Sequence, residues 1–207
     1  PNENYRVGPF DFCKYWNYHL AQKYTLKKEI FAKVEEYFEQ NKATPGDKVT
    51  VGFPCFDHNE VNQALDSLLD VWISQGPKVK RFEEEFSNYS STKHALTVTN
   101  GTAALELALE ALEVGKGDEV IVPSRTFIAT ASAVARRGAK AVVADIDIYS
   151  QNITLESIIK VFSQKTRVII PVHLSGWPVD LDPIIEFAND NKIYVIEDCA
   201  QAHGASY

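Results

Sequence analysis

The stretch EVIVPSRTFIATASAVARRGAKAVVA, residues 119–144, decides the fold. It contains a β-prone run at 119–122, a helical pattern at 126–137 and a second β-prone run at 141–144. Two neighbouring parallel strands need a crossover connection, usually a helix, whereas antiparallel strands can be joined by a tight hairpin. A helix between two strands therefore indicates a parallel pair. Residues 119–144 therefore predict one β-α-β unit.

The same alternation extends to both sides of this unit. Further β-prone runs lie at 95–99, 167–172 and 193–196, and further helical patterns lie at 102–114, 155–162 and 181–189. The runs at 120–122, 168–170 and 194–196 are apolar without alternation, which is typical of strands buried on both faces. The pattern predicts an α/β fold with a mostly parallel sheet and helices on both of its faces.

The N-terminal part of the chain shows helical patterns only. One apolar face predicts a helix from Thr25, which ends by the turn signal Thr44-Pro45-Gly46-Asp47. Asp57 and Glu60 form an acidic variant of the capping box and predict a second helix. We place a boundary near residues 44–50, so that 1–48 form an N-terminal arm with one amphipathic helix and 49–207 form the α/β body.

Composition excludes some classes of protein. The 207 residues contain 28 Asp+Glu against 21 Lys+Arg, a formal net charge of -7, which argues against a nucleic-acid or polybasic membrane-binding surface. The three cysteines are too few and too irregularly spaced for a disulfide or zinc framework. Together with the lack of a transmembrane-length apolar run, they predict a cytoplasmic protein. The chain has no methionine and stops directly after a dense motif, so we expect it to be truncated.

Ligands of open α/β sheets bind beyond the carboxyl ends of the strands, and three such junctions stand out. At the first, a helix opens after a β-prone run and its free N–H groups suit a phosphate; Gly101 allows close approach and Thr102 adds a hydroxyl, although a plain helix cap is an alternative. At the second, Phe127 is placed either to stack on a flat heterocycle or to pack in the core. Both junctions are weak signals alone.

The third junction places Glu197 and Asp198 directly after an apolar strand. Adjacent side chains point to opposite faces of a sheet, so the two carboxylates cannot act as a pair. A cationic nitrogen facing one of them would offset its burial, while Glu197 suits a structural role such as bonding to backbone amides. His173 either reaches the pocket or is a structural histidine, and Cys199 suits a small buried side chain. A helix N-terminus that suits a phosphate, the aromatic face of Phe127 and a buried acid together describe a pocket for pyridoxal 5'-phosphate (PLP).

Four stretches then carry a family resemblance: WISQGPKV at 72–79, TNGTAAL at 99–105, PSRTFIAT at 123–130 and EDCAQAHG at 197–204. They closely resemble the DegT/DnrJ/EryC1/StrS nucleotide-sugar aminotransferases, over about residue 49 to the last residue. The resemblance implies the large domain of a fold-type I PLP-transferase, a three-layer αβα structure, in a homodimer with active sites at the subunit interface.

The resemblance also implies roles for individual residues. Thr102 and Ala103 would hold the cofactor phosphate, Phe127 would stack on the pyridine ring, Asp198 would pair with the ring nitrogen, and Gln201 would contact the ring's hydroxyl side. The family's Schiff-base lysine follows the EDCAQAHG motif, but no lysine follows Lys192 here. We therefore assign no catalytic residue and no metal site, and expect the 207 residues alone to be inactive.

Three functions remain open from the sequence. The first is transfer of an amino group from a donor such as glutamate to a keto nucleotide-sugar, in deoxyamino-sugar or surface polysaccharide biosynthesis. The second is sugar dehydration with the same cofactor, since related PLP-dependent dehydratases carry a longer N-terminal region and replace the lysine by histidine. The third is a catalytically inactive binding or regulatory fragment.

Overall fold

The computed structural model describes residues 12–41, 54 and 56–206. Two compact units divide the chain, one comprising Pro1–Ala95 and the other Leu96–Tyr207. The turn predicted at 44–47 and the boundary predicted near 44–50 lie outside the described residues. We call the two units the helical unit and the α/β unit.

The helical unit contains three helices, α1 (Phe12–Gln40), α2 (His58–Leu69) and α3 (Pro77–Tyr89). Helix α1 begins well before the predicted start at Thr25. Helix α2 begins at the predicted capping box, where the Asp57 carboxylate accepts the Asn59 N–H (2.6 Å) and Glu60 accepts the Asp57 N–H (2.7 Å). In α3, Pro77 occupies the first turn, where its missing N–H leaves no helical hydrogen bond unmade.

The α/β unit alternates helices and strands in chain order. Its elements are α4 (Gly101–Ala111), β1 (Glu119–Pro123), α5 (Ala129–Arg136), β2 (Lys140–Ala144), α6 (Leu155–Val161), β3 (Thr166–Ile169), α7 (Asp182–Asn191) and β4 (Tyr194–Val195). The four strands form one parallel sheet in the order β2-β1-β3-β4. The predicted parallel sheet is therefore confirmed, as is the β-α-β unit of residues 119–144.

Apolar side chains pack on both faces of this sheet. Val120 and Val122 of β1 join the buried cluster that includes Leu109 of α4 and Val134 of α5. Ile121, between them, joins the opposite cluster with α6 and α7. Because successive strand residues alternate between faces, an uninterrupted apolar run fills both clusters at once. The three-layer αβα architecture follows.

Residues 95–99 are the main difference from the predicted elements. They form no strand in the described structure, although their residues have strand propensity. A strand is defined by hydrogen bonds to a neighbouring strand, and the sequence pattern alone does not supply that neighbour. No helix in the described part of the chain is both long and apolar enough to cross a membrane.

Candidate active site

A cavity of about 390 Å³ opens within the α/β unit at the carboxyl ends of its strands. Thr102, Phe127, Asp198 and Gln201 all line it. These are four of the five predicted site residues, and they come from three separate segments of the sequence, at 102, 127 and 198–201. The cavity lies within the size range of small-molecule sites, which is about 300–1,000 Å³.

The first wall of the cavity is the N-terminus of helix α4. The side chain of Asn100 caps this helix by accepting the Ala103 N–H at 2.9 Å. In the described structure, the N–H groups of Gly101 and Thr102 have no acceptor, and a Cβ added at Gly101 would meet no atom within 4 Å. At the predicted phosphate-binding helix N-terminus, the N–H groups of Gly101 and Thr102 are therefore available to a ligand. The Ala103 N–H is instead bonded in the helix cap, which was the alternative from the sequence.

The second wall carries Phe127, just before helix α5. Its side chain is 74% exposed, so Phe127 is not a core residue of the described structure. Its carbonyl oxygen accepts the Thr130 N–H at 3.1 Å, which ties the residue to the start of α5. An exposed aromatic side chain that lines the cavity on a backbone held in this way can stack on a planar ligand.

The third wall holds Asp198, whose carboxylate is half-buried. Its Oδ1 accepts the Ala200 N–H at 3.1 Å, and its Oδ2 lies 3.5 Å from the hydroxyl of fully buried Thr130. Thr130 in turn lies 2.8 Å from the hydroxyl of Thr126. No cation among the residues that the structure describes lies within 4.0 Å of Asp198. The carboxylate is thus oriented by hydrogen bonds and free to face a cationic ligand atom.

Gln201 completes the predicted set at the edge of the cavity. Its side chain is exposed, and its Oε1 accepts the Ser175 N–H at 2.7 Å. The Oε1 atom is therefore engaged with the protein, and the NH₂ group of the same amide remains as a donor.

Glu197 and His173 lie near the same strand ends but do not line the cavity. Glu197 contacts the ring of His173, with Oε2 and Nε2 separated by 3.3 Å, so its partner is a side chain and not the backbone amides. His173 is 4% exposed and is a structural histidine that does not line the cavity. Burial, followed by the charges of Glu197 and Asp198, raises the pKa of the Cys199 thiol. This thiol is free and unsuited to act as a nucleophile.

Sequence reasoning missed two contributors to the site. The first is the pair of hydroxyls of Thr126 and Thr130, which reaches Asp198. Their spacing of four residues around Phe127 is a usable signal, because it puts both on one side of a helical turn. The second is the identity of the capping residue at the first junction, where a plain cap is the stated alternative: Asn100 has the type and the position before Gly101 that are typical of a helix N-cap.

Fold and cavity together define an α/β protein with a cavity of small-molecule size at the carboxyl edge of a parallel sheet. The model of the DegT/DnrJ/EryC1/StrS aminotransferase family matches residues 54–207. The chain belongs to this family.

Named relatives agree with this assignment. GDP-perosamine synthase of Caulobacter vibrioides is 42% identical over 161 residues, which are 77% of this chain and 43% of the relative. The dTDP-3-amino-3,4,6-trideoxy-alpha-D-glucose transaminase of Streptomyces venezuelae is 44% identical over 151 residues, 72% of this chain and 39% of the relative.

Solved structures support the fold in the same way. The X-ray structure of the aminotransferase from Psychrobacter cryohalolentis matches with a TM-score of 0.72 and 45% identity, covering 77% of this chain and 41% of that one. The predicted aminotransferase fold is confirmed. The chain spans about two fifths of the length of the relatives that it matches.

Proposed function

We propose that the complete protein is a PLP-dependent aminotransferase that transfers an amino group from an amino-acid donor such as glutamate to a keto nucleotide-sugar. The observation that carries the proposal is the convergence of Thr102, Phe127, Asp198 and Gln201 on one cavity. The names of the nucleotide-sugar transaminase and of GDP-perosamine synthase support the substrate class. Deoxyamino-sugar or surface polysaccharide synthesis is the corresponding role.

The residues present fit PLP in charge and shape. The dipole and free N–H groups at the start of α4 suit a phosphate dianion, and Gly101 leaves open space in front of them. Phe127 offers an exposed ring face, and the Asp198 carboxylate offers a negative charge with no cation beside it among the described residues. When bound, PLP supplies an electron-withdrawing pyridine ring that stabilises negative charge on a substrate carbon.

Each of these residues has a separate task in the proposed reaction. Asp198 holds a proton on the ring nitrogen, and the hydroxyls of Thr126 and Thr130 hold Asp198. Phe127 limits movement of the ring perpendicular to its plane. Thr102 fixes the phosphate through its N–H and its hydroxyl, and Ala103 would join it where the Asn100 side chain turns away from the Ala103 N–H.

The test is an absorbance and turnover experiment on the complete protein. We expect bound PLP to absorb in the visible range, the absorbance to change on addition of glutamate, and a keto nucleotide-sugar to reverse that change. Asp198→Asn should lose most turnover, while Asp190→Asn, an exposed acid on α7, serves as the matched control. Turnover of Asp198→Asn at the control rate would refute the role of Asp198.

The lysine that forms a covalent bond with PLP is proposed to lie outside these 207 residues. Every lysine here is at or before Lys192, and none follows the EDCAQAHG motif. The 207 residues alone should therefore be inactive. Borohydride reduction and mass spectrometry of the complete protein should find a pyridoxyl group on a lysine beyond Tyr207. A histidine at that position would instead favour the dehydratase alternative.

The proposal includes a homodimer in the cytoplasm. The family resemblance suggests the dimer, and the free Cys199 thiol is in keeping with a reducing compartment. Light scattering of the complete protein at low concentration tests the first statement, and a monomer with full turnover would refute it.

A further inference from the structure

The turn that follows β3 is bonded to the segment that carries Asp198 and Gln201. The His173 N–H donates to the Asp198 carbonyl oxygen at 3.2 Å, and the Asp198 N–H donates to the Pro171 carbonyl oxygen at 2.9 Å. Two residues further on, the Ser175 N–H donates to Gln201 Oε1 at 2.7 Å. The turn therefore contacts the backbone of one proposed cofactor ligand and the side chain of another.

The side chain of His173 adds a second connection on the opposite face. Its Nδ1 accepts the Val179 N–H at 2.9 Å, so Nδ1 carries no hydrogen. The ring proton of this neutral histidine is consequently on Nε2, which donates to Glu197 Oε2 at 3.3 Å. Glu197 directly precedes Asp198, so the bond ties the strand end to the turn from the face opposite the cavity.

A metal site is the competing explanation for this cluster. One ligand atom each from His173, Glu197 and Cys199 lies within 4.8 Å of the others, a spacing compatible with a bound cation. A metal-binding histidine needs a lone pair toward the metal and usually donates from its other nitrogen. Here the lone pair of Nδ1 faces the Val179 N–H, and Nε2 carries the hydrogen. The cluster is therefore a hydrogen-bonded pair, not a metal site.

The backbone of the turn is shaped for its contact with Gln201. Ser175 has φ 55° and Gly176 has φ 81°, both in the left-handed region. A Cβ added at Gly176 would lie 3.2 Å from the Gln201 carbonyl oxygen, which is closer than an ordinary contact. A non-glycine residue at 176 would meet both the backbone strain and this crowding.

We propose that the turn His173–Gly176 is a positioning element that fixes Asp198 as an acceptor and Gln201 as a donor toward one bound ring. With its Oε1 held by Ser175, Gln201 presents only its NH₂ group, while Asp198 presents only acceptor oxygens. The pair thus selects a ring with a protonated nitrogen and an anionic oxygen. This inference rests on the proposed function and deepens it. It makes the turn responsible for which ring atoms, the protonated nitrogen and the anionic oxygen, face Asp198 and Gln201.

The test uses four variants of the complete protein. Glu197→Leu removes the acceptor of the His173 ring, Glu197→Gln retains an acceptor, and Gly176→Ala disturbs the contact with Gln201. Glu186→Leu, at an exposed position on α7, is the matched control. Each variant is measured for its PLP dissociation constant, for the pH titration of bound-PLP absorbance, and for thermal stability.

We expect Glu197→Leu and Gly176→Ala to weaken PLP binding about tenfold, which is the effect of one lost interaction of ordinary strength, and to shift the absorbance titration. Glu197→Gln should restore both values, and Glu186→Leu should change neither. ¹⁵N NMR of His173 in the protein without PLP should show the hydrogen on Nε2. A hydrogen on Nδ1 would overturn the inference.

Failure of the inference and failure of the proposed function give different results. If Glu197→Leu and Gly176→Ala lower thermal stability but leave PLP affinity and absorbance unchanged, the turn is merely structural and the inference is overturned. If the unsubstituted protein shows no PLP absorbance at all, the proposed function is refuted, and the proposal that the turn positions Asp198 and Gln201 toward a bound ring is refuted with it.

Discussion

The two units of the chain are stabilised by different forces. No residue described between 21 and 95 in the helical unit is buried, whereas in the α/β unit the side chains of Ile121 and Ile169 are completely buried. The α/β unit fills both faces of its sheet with apolar side chains, and the helical unit leaves large apolar side chains such as Tyr37 and Leu68 exposed. Burial of apolar surface dominates folding stability, so the α/β unit holds the larger share of it.

Ion pairs link the helices of the helical unit. Lys27 of α1 pairs with Asp66 and Asp70 of α2, and Lys78 of α3 pairs with Asp66 at 2.9 Å. These pairs connect all three helices. Ion pairs near the surface each contribute little and weaken with salt. The stability of the helical unit should therefore fall with rising salt concentration, whereas that of the α/β unit should not.

The largest predicted difference concerns apolar side chains. Ile169→Ala, in the sheet, should lower the free energy of unfolding by about 2–5 kcal/mol, because it removes buried methylenes and leaves a cavity. Ile30→Ala on α1, where the side chain is 40% exposed, should cost less than about 1 kcal/mol. Urea unfolding of both variants makes the comparison. Equal losses would mean that the apolar face of α1 is covered in the complete protein.

Helix α4 gives the next largest effect. Asn100→Ala removes the acceptor of the Ala103 N–H and should lower the free energy of unfolding by about 1 kcal/mol. Asn100→Ser keeps a capping oxygen and should lose only a few tenths of a kcal/mol. The same urea experiments measure both, and an Ala variant as stable as the Ser variant would show that the cap is not formed.

The ion pairs of the helical unit should give a smaller and conditional effect. Asp66→Asn should destabilise α1 by up to roughly 1 kcal/mol at low salt and by nothing measurable in 1 M NaCl. Hydrogen exchange of α1 amides is the measurement, and Glu35→Gln, an exposed change on α1, is the control. An effect of Asp66→Asn that is independent of salt would contradict the ion-pair account.

The pH dependence of the same pair has a defined sign. Hydrogen bonds from Lys27, then from Lys78, lower the pKa of Asp66 below its ordinary value. The stabilisation is therefore fully present above the unfolded pKa, about 3.9, and is lost as the pH falls through the lower folded pKa. Asp66→Asn should remove this part of the acid sensitivity of α1.

The smallest predicted effect is on Cys199 in the α/β unit. Burial and the charges of Glu197 and Asp198 raise the pKa of its thiol, so alkylation at pH 8 should be slower than that of a solvent-exposed thiol of ordinary pKa. In a Cys13→Ser, Cys55→Ser background, Glu197→Gln should increase the rate modestly by removing one negative charge. Alkylation as fast as that of a free thiol would contradict the raised pKa.

The sequence predicted the α/β unit well because its strands are buried on both faces. An apolar run such as 120–122 is short and lies between helical patterns, so it fits a strand buried on both faces, and the spacing of such runs predicts the helices between them. The start of α1 was missed because residues 12–24 lack a clean helical period. The strand expected at 95–99 failed because strand formation depends on a neighbour that propensity does not reveal.

The site was predictable where it depends on topology. Strands that run in parallel end at one edge of the sheet, which brings Phe127, Asp198 and Gln201 together, and the N-terminus of α4 adds Thr102 although no strand precedes it at 95–99. The bond between Glu197 and His173 was not predictable, because it depends on the pairing of Val172 with Asp198 across two strand ends. The hydrogen bond from the Ala103 N–H to the Asn100 side chain is likewise a matter of geometry.

A crystal structure of the complete protein grown with PLP tests the central claim most directly. We predict that the PLP phosphate lies at the N-terminus of α4, within about 3 Å of the Thr102 N–H, that the ring lies on the face of Phe127, and that an Asp198 carboxylate oxygen lies about 3 Å from the ring nitrogen. PLP bound with its phosphate away from α4, or with Asp198 distant from the ring nitrogen, would contradict the account.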